Sequence, residues 1–89
     1  MNYEHDPKKL AENVAKHGVW FSEAEGFEWA TASIEHDDRR QYAETRFEAT
    51  GLIGSRLHVM VFCFRETKIR IINLRKANLR EVRRYAQNH

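Results

Sequence analysis

Apolar and polar residues change their spacing along the chain, and the spacing predicts its elements. Met1 to His5 reads as a short strand. Asp6-Pro7 is a helix-start signal: aspartate accepts a hydrogen bond from an unpaired first-turn N–H, and proline suits the first helical position. Leu10, Ala11, Val14 and Ala15 then recur on one helical face and Gly18 supplies a stop, so a first helix is expected over Pro7 to His17. Ser22-Glu23-Ala24-Glu25 has the form of a capping box with Ser22 as cap. It predicts a short second helix from about Glu23 to Trp29, with Ala24 and Phe27 facing inward.

Thr31 to Glu35 is a strand candidate, followed by a polar loop over His36-Asp37-Asp38-Arg39-Arg40. Three more strands are expected at Thr45 to Leu52, Arg56 to Phe64 and Lys68 to Leu74, separated by turn signals at Gly54-Ser55 and Arg65-Glu66-Thr67. Such short connections join antiparallel neighbours. The second half of Arg56 to Phe64 is apolar on both faces, as in a central strand. Asn78 with Glu81 caps a last helix to about Gln87, with Leu79, Val82 and Ala86 expected on its buried face and Arg80, Arg83 and Arg84 on its wet one. The sum is an α+β fold of two layers: an antiparallel sheet of three to four strands, with two N-terminal helices and one C-terminal helix on one face. The other face is left for solvent or a ligand.

Composition narrows the classes. A chain of 89 residues suits one domain, 1–89, and 42% hydrophobic residues exclude disorder. The lone Cys63 excludes an intramolecular disulfide and a four-cysteine zinc site. The longest apolar run, Val59 to Phe64, is far short of the about 20 residues a membrane span needs. The N-terminus lacks the basic and apolar regions of a secretory signal, so a cytoplasmic protein without membrane contact is expected. His36-Asp37-Asp38 are adjacent loop residues with no second cluster at ligand spacing, and the four glycines form no phosphate loop; neither metal nor cofactor is expected. The net charge of +2 hides a split. Residues 1–48 carry six basic and eleven acidic side chains, residues 49–89 nine and two. The C-terminal half should therefore present a basic surface suited to phosphate or an acidic partner.

An ordered set of residues runs through the chain: Lys16-His17-Gly18-Val19, Phe21, Glu23-Ala24, Glu44, Arg46, Ile69-Arg70-Ile71-Ile72, Arg75-Lys76-Ala77, Glu81 and Tyr85. In this the sequence resembles the BrnT toxins of BrnT–BrnA toxin–antitoxin modules. It differs from their pattern at His5, where tryptophan is usual, and at Asn73, where serine is usual. The resemblance implies a RelE-like fold, a ribonuclease activity that arrests translation, and neutralisation by the antitoxin BrnA. It also implies contact with operator DNA only through the toxin–antitoxin complex, in autorepression. The sequence leaves the oligomeric state open.

Metal-free RNA cleavage needs a base for the 2′-hydroxyl, positive charge at the phosphate and an acid for the leaving 5′-oxygen. Arg70 interrupts an apolar strand; it either points at the open sheet face toward phosphate or reaches solvent or a pairing with Glu44 or Glu48. Arg75 leaves the same strand and either joins Arg70 at one phosphate or caps the sheet. Arg46 shares a face with Glu44 and Glu48, as a structural ion pair or as a phosphate ligand beside a carboxylate base, Glu48 or Glu44. His17 closes a helix, where imidazolium is favoured by the helix dipole; otherwise it is the best acid–base candidate. Lys16, Lys76, Arg80, Arg83 and Arg84 form either a solvated surface or a footprint for RNA or the antitoxin, and Tyr85 either packs in the core or stacks a base. Cys63 reads as a buried small hydrophobe. Two function classes result: a toxin ribonuclease, and a non-catalytic module that binds an antitoxin or nucleic acid and represses transcription.

Overall fold

The computed structural model describes all 89 residues. Strands β1 (Tyr3–Glu4), β2 (Ser33–His36), β3 (Phe47–Ile53), β4 (Arg56–Arg65) and β5 (Lys68–Lys76) form one sheet in the order β1-β5-β4-β3-β2. The meander β2 to β5 is antiparallel, as the short connections require. The sheet is nonetheless mixed and five-stranded, because β1 pairs with β5 in parallel. Two residues are too few to show a period in sequence, and Tyr3 and Glu4 are strand only because β5 offers them an edge.

Helix α1 (Pro7–His17) has the expected bounds. The Asp6 carboxylate accepts the Lys8 N–H at 2.9 Å, and Gly18 adopts φ 69° so that its N–H reaches the Val14 carbonyl. The expected second α-helix is instead two 3₁₀ turns, Phe21–Gly26 and Trp29–Thr31. The first is capped two residues earlier than Ser22 suggests: Glu23 accepts the Trp20 N–H. The tighter turns let Phe21, Ala24 and Phe27 all reach the sheet. There they pack with Val19 against Ala49, Met60, Phe62, Ile69, Ile71 and Leu74. Asn13 is buried where α1 meets β5; its amide donates to the Val19 and Leu74 carbonyls and accepts the Leu74 N–H.

The second sheet face carries only a small apolar patch, Leu57, Val59 and Ala77. Helix α2 (Leu79–Asn88) lies over that patch, so the helices are not confined to one face. Its predicted buried face is also wrong. No residue of α2 is buried, and Leu79 and Val82 are 62% and 39% exposed. Leu52 and, from α2, Tyr85 cover the patch, and the Tyr85 hydroxyl donates to the Thr31 carbonyl at 2.8 Å.

One irregularity decides which charges share a face. Val61 pairs with Asn73 but Phe62 pairs with Ile71, so Ile72 is an extra residue in β5. A bulge of this kind shifts the inward–outward alternation by one. Arg70, Asn73 and Arg75 therefore all face away from the main core, which Ile69, Ile71 and Leu74 enter.

Candidate active site

Beside the bulge, α1, the loop before β3 and strand β5 enclose a polar cleft of about 380 Å³. Helix α1 supplies Lys9, Glu12, Asn13, Lys16 and His17, which recur at the three- and four-residue spacing of one helical stripe. The loop supplies Arg39 and Arg46, β3 supplies Glu48, and β5 supplies Asn73 and Arg75. Four of the five residues proposed from sequence as catalytic thus meet here: His17, Arg46, Glu48 and Arg75.

His17 Nε2 lies 3.4 Å from the Asn73 side-chain nitrogen. With an amide N–H donating, that ring nitrogen is the acceptor of a neutral imidazole. Electrostatics agree: partial burial, then Lys16, then Arg75 push the His17 pKa below its ordinary value. The direction is opposite to the dipole-favoured imidazolium expected from the sequence, because burial and the two cations favour the neutral ring.

Each cleft arginine is fixed by a carboxylate. Arg75 gives one N–H from each terminal nitrogen to Glu81, both at 2.8 Å, and this pairing raises the arginine pKa and lowers that of Glu81. Arg39 holds Asp37 by contacts of 2.8 and 2.9 Å; the Asp37 side chain is 1% exposed and its pKa is pulled down by that hydrogen bonding. Arg46 donates from Nε to Glu44 at 3.1 Å and stacks over the Tyr42 ring, 3.9 Å from its centre. An arginine has five N–H donors, so each keeps some for a ligand. Glu12 and Glu48 carry no ion pair.

A profile of the family described as ribonuclease toxin, BrnT, of type II toxin–antitoxin system matches residues 5–81. The chain belongs to the BrnT family. BrnT proteins are ribonuclease toxins, so an RNA substrate and a cognate antitoxin come with membership. No curated protein matches the chain. The BrnT match takes in every cleft residue and ends at Glu81, the carboxylate that holds Arg75.

Of the other sequence candidates, Lys16 lines the BrnT cleft and the rest lie outside it. Arg70 shares its sheet face but pairs with Glu4 at 3.1 Å near the β4–β5 turn, so a single phosphate gripped by Arg70 and Arg75 together is not what the fold builds. Lys76, Arg80 and Arg83 are exposed elsewhere. Arg84 and Tyr85 line a second, smaller hollow with Glu48 and Glu81, and Tyr85 takes the packing role. Lys9, Glu12 and Arg39 were missed. The polar stripe of α1 was a readable signal for the first two; nothing in the spacing of the loop marked Arg39. No helix is long and apolar enough to cross a membrane.

Proposed function

We propose that this cleft is where the protein cleaves RNA, by transfer of the phosphodiester to the neighbouring 2′-hydroxyl without a metal ion. The observation that carries the reading is that one cleft brings His17 together with Lys16, Arg46 and Arg75, surroundings that push the imidazole pKa down. In this reading His17 Nε2 exchanges the Asn73 N–H for the 2′-hydroxyl and takes its proton as that oxygen bonds to phosphorus. Arg75 and Arg46 donate to the non-bridging oxygens, where charge builds up in the transition state. The bond from phosphorus to the 5′-oxygen breaks, and that oxygen takes a proton from solvent at the cleft mouth. The products are a 2′,3′-cyclic phosphate and a 5′-hydroxyl. Asn73 fixes the His17 tautomer, and Glu48 shapes the pocket beside the ribose.

We further infer that the cleaved RNA serves translation, that the fold is RelE-like, and that a BrnA-type antitoxin neutralises the toxin and joins it in repressing their operon. The antiparallel β2 to β5 meander with α1 packed on it supports the fold assignment. The basic helix residues Arg80 and Arg83, which the cleft does not use, suit an acidic antitoxin segment.

The test is cleavage of labelled RNA in EDTA. The expected result is cyclic-phosphate ends, with activity lowered at least about 100-fold in His17→Gln and Arg75→Gln. Products with 5′-phosphate ends, or two variants as active as the parent, would overturn the assignment.

A further inference from the structure

The geometry points to a second phosphate-binding position for RNA, formed by Arg70 with Lys68 and Arg65, which holds a backbone phosphate neighbouring the scissile one. This rests on the reading of the cleft as the cleavage site.

The cluster and the cleft belong to one surface. Arg65 pairs with Lys68 across the β4–β5 hairpin, and Cys63 pairs with Arg70. By strand alternation these residues face the same way as Val61, which lines the cleft, and the extra residue at Ile72 keeps Asn73 and Arg75 on that side. Cys63 lies on β4 between Val61, which lines the cleft, and Arg65, so cluster and cleft follow one another along the same strand face. Burial and Glu44 raise the Cys63 thiol pKa, and Arg46, Arg70 and Arg65 oppose them.

The spacing suits a neighbouring phosphate. On β4 the partners of Arg70 and Arg75, Cys63 and Val59, are four residues apart, about 13 Å of strand at 3.3 Å per residue. That is too far to share one phosphate and within reach of the next along a single strand.

Arg70 is also prepared for a ligand. Glu4 accepts from its Nε at 3.1 Å, which steadies the guanidinium and leaves both terminal nitrogens free to donate. Lys68 and Arg65 are exposed beside it and carry no ion pair. Two carboxylates, Glu4 and Glu66, share this hollow with Arg70, Lys68 and Arg65, so it stays net positive, and only Glu4 is engaged with Arg70; such an arrangement fits a phosphate oxygen better than a purely structural ion pair requires.

The test measures binding of 2′-O-methyl RNA, which lacks the attacking hydroxyl, as a trimer and as a decamer over a range of salt concentrations. Loss of one phosphate contact to a single strand lowers the slope of log affinity against log salt by about 0.7. Arg70→Gln should show that loss with the decamer and leave the trimer, which fills only the cleft, unchanged. Arg70→Lys should restore part of the decamer affinity, and thermal unfolding of each variant shows whether the fold is intact. Unchanged decamer binding in the folded Arg70→Gln protein overturns the proposal. So does equal loss with both lengths, or a variant that binds RNA normally but no longer binds its antitoxin. The cleft reading is checked separately, because trimer binding that ignores Lys16→Gln counts against the cleft whatever Arg70 does.

Discussion

Glu81 does two things with one carboxylate: it holds Arg75 at 2.8 Å through each oxygen, and it accepts the Asn78 N–H at 2.9 Å to cap helix α2. A cleft residue and a helix start are thereby joined. Glu81→Gln should cost about 1–3 kcal/mol, since it removes a charged hydrogen-bonding partner of a half-buried guanidinium. It should also lower RNA cleavage and speed amide hydrogen exchange across residues 79–88. Exchange unchanged from the parent would mean that α2 is held by Tyr85 alone.

The same pair makes α2 sensitive to acid. Hydrogen bonding from Arg75 holds the Glu81 pKa below its ordinary 4.5. A carboxylate whose folded pKa is depressed stabilises the fold above its unfolded pKa, and that stabilisation is lost as pH falls through the depressed value. Helix α2 should therefore stay docked at pH 5 and loosen only below the ordinary carboxylate range. Hydrogen exchange of α2 against pH measures this, and Glu81→Gln should remove the dependence.

His17 should set the acidic limb of the activity profile. Burial and the cations Lys16 and Arg75 lower its pKa from 6.5, so the neutral base persists to lower pH than in a free imidazole. The fall in kcat/KM on the acid side should be centred below 6.5, and Lys16→Gln should move it upward by removing one cation. Proton NMR of the imidazole ring gives the same pKa directly. A His17 that titrates above 6.5 would contradict the account.

Asn13 should be among the costliest polar residues to lose. It is 3% exposed and makes three hydrogen bonds to the backbone at Val19 and Leu74. Asn13→Ala leaves buried backbone groups unpaired, at about 2–4 kcal/mol in total. Urea denaturation should show a lower midpoint with an unchanged slope.

Two glycines should respond differently to alanine. A Cβ on Gly51 would lie 2.7 Å from the Phe27 ring and 3.1 Å from the Ala32 Cβ, whereas one on Gly26 meets nothing nearer than 3.5 Å. Gly51→Ala should destabilise by about 1–3 kcal/mol through overpacking, and Gly26→Ala should be close to neutral. Melting temperatures of the two variants provide the comparison.

What was legible in the sequence follows from how local the cause is. The bounds of α1 were readable because Asp6, Pro7 and Gly18 act on their own neighbours. The meander was readable because its turns are short. Strand β1 was not, since its two residues depend on β5, 66 positions away. Nor was the bulge at Ile72, because an extra isoleucine in an apolar run leaves no mark on the pattern. The face of α2 was misread because periodicity says which residues lie together, not whether the sheet has room to receive them. In the cleft, His17, Arg46, Glu48 and Arg75 were recognisable as chemical types. Arg70 lies further along β5, opposite Cys63 where Arg75 is opposite Val59, and its partner Glu4 is again a long-range contact.

Asn13 has one more effect. Its amide meets the Leu74 N–H and carbonyl in the way a peptide group of an adjoining strand would, so beyond the two residues of β1 the outer border of β5 is already occupied at that point. Strand β2 is the opposite border and pairs only with β3. Growth of a fibre by strand addition needs two receptive borders per molecule. Here the border opposite β2 is the two-residue strand β1 followed by the Asn13 amide, so β2 is the longer receptive border and strand addition is favoured there.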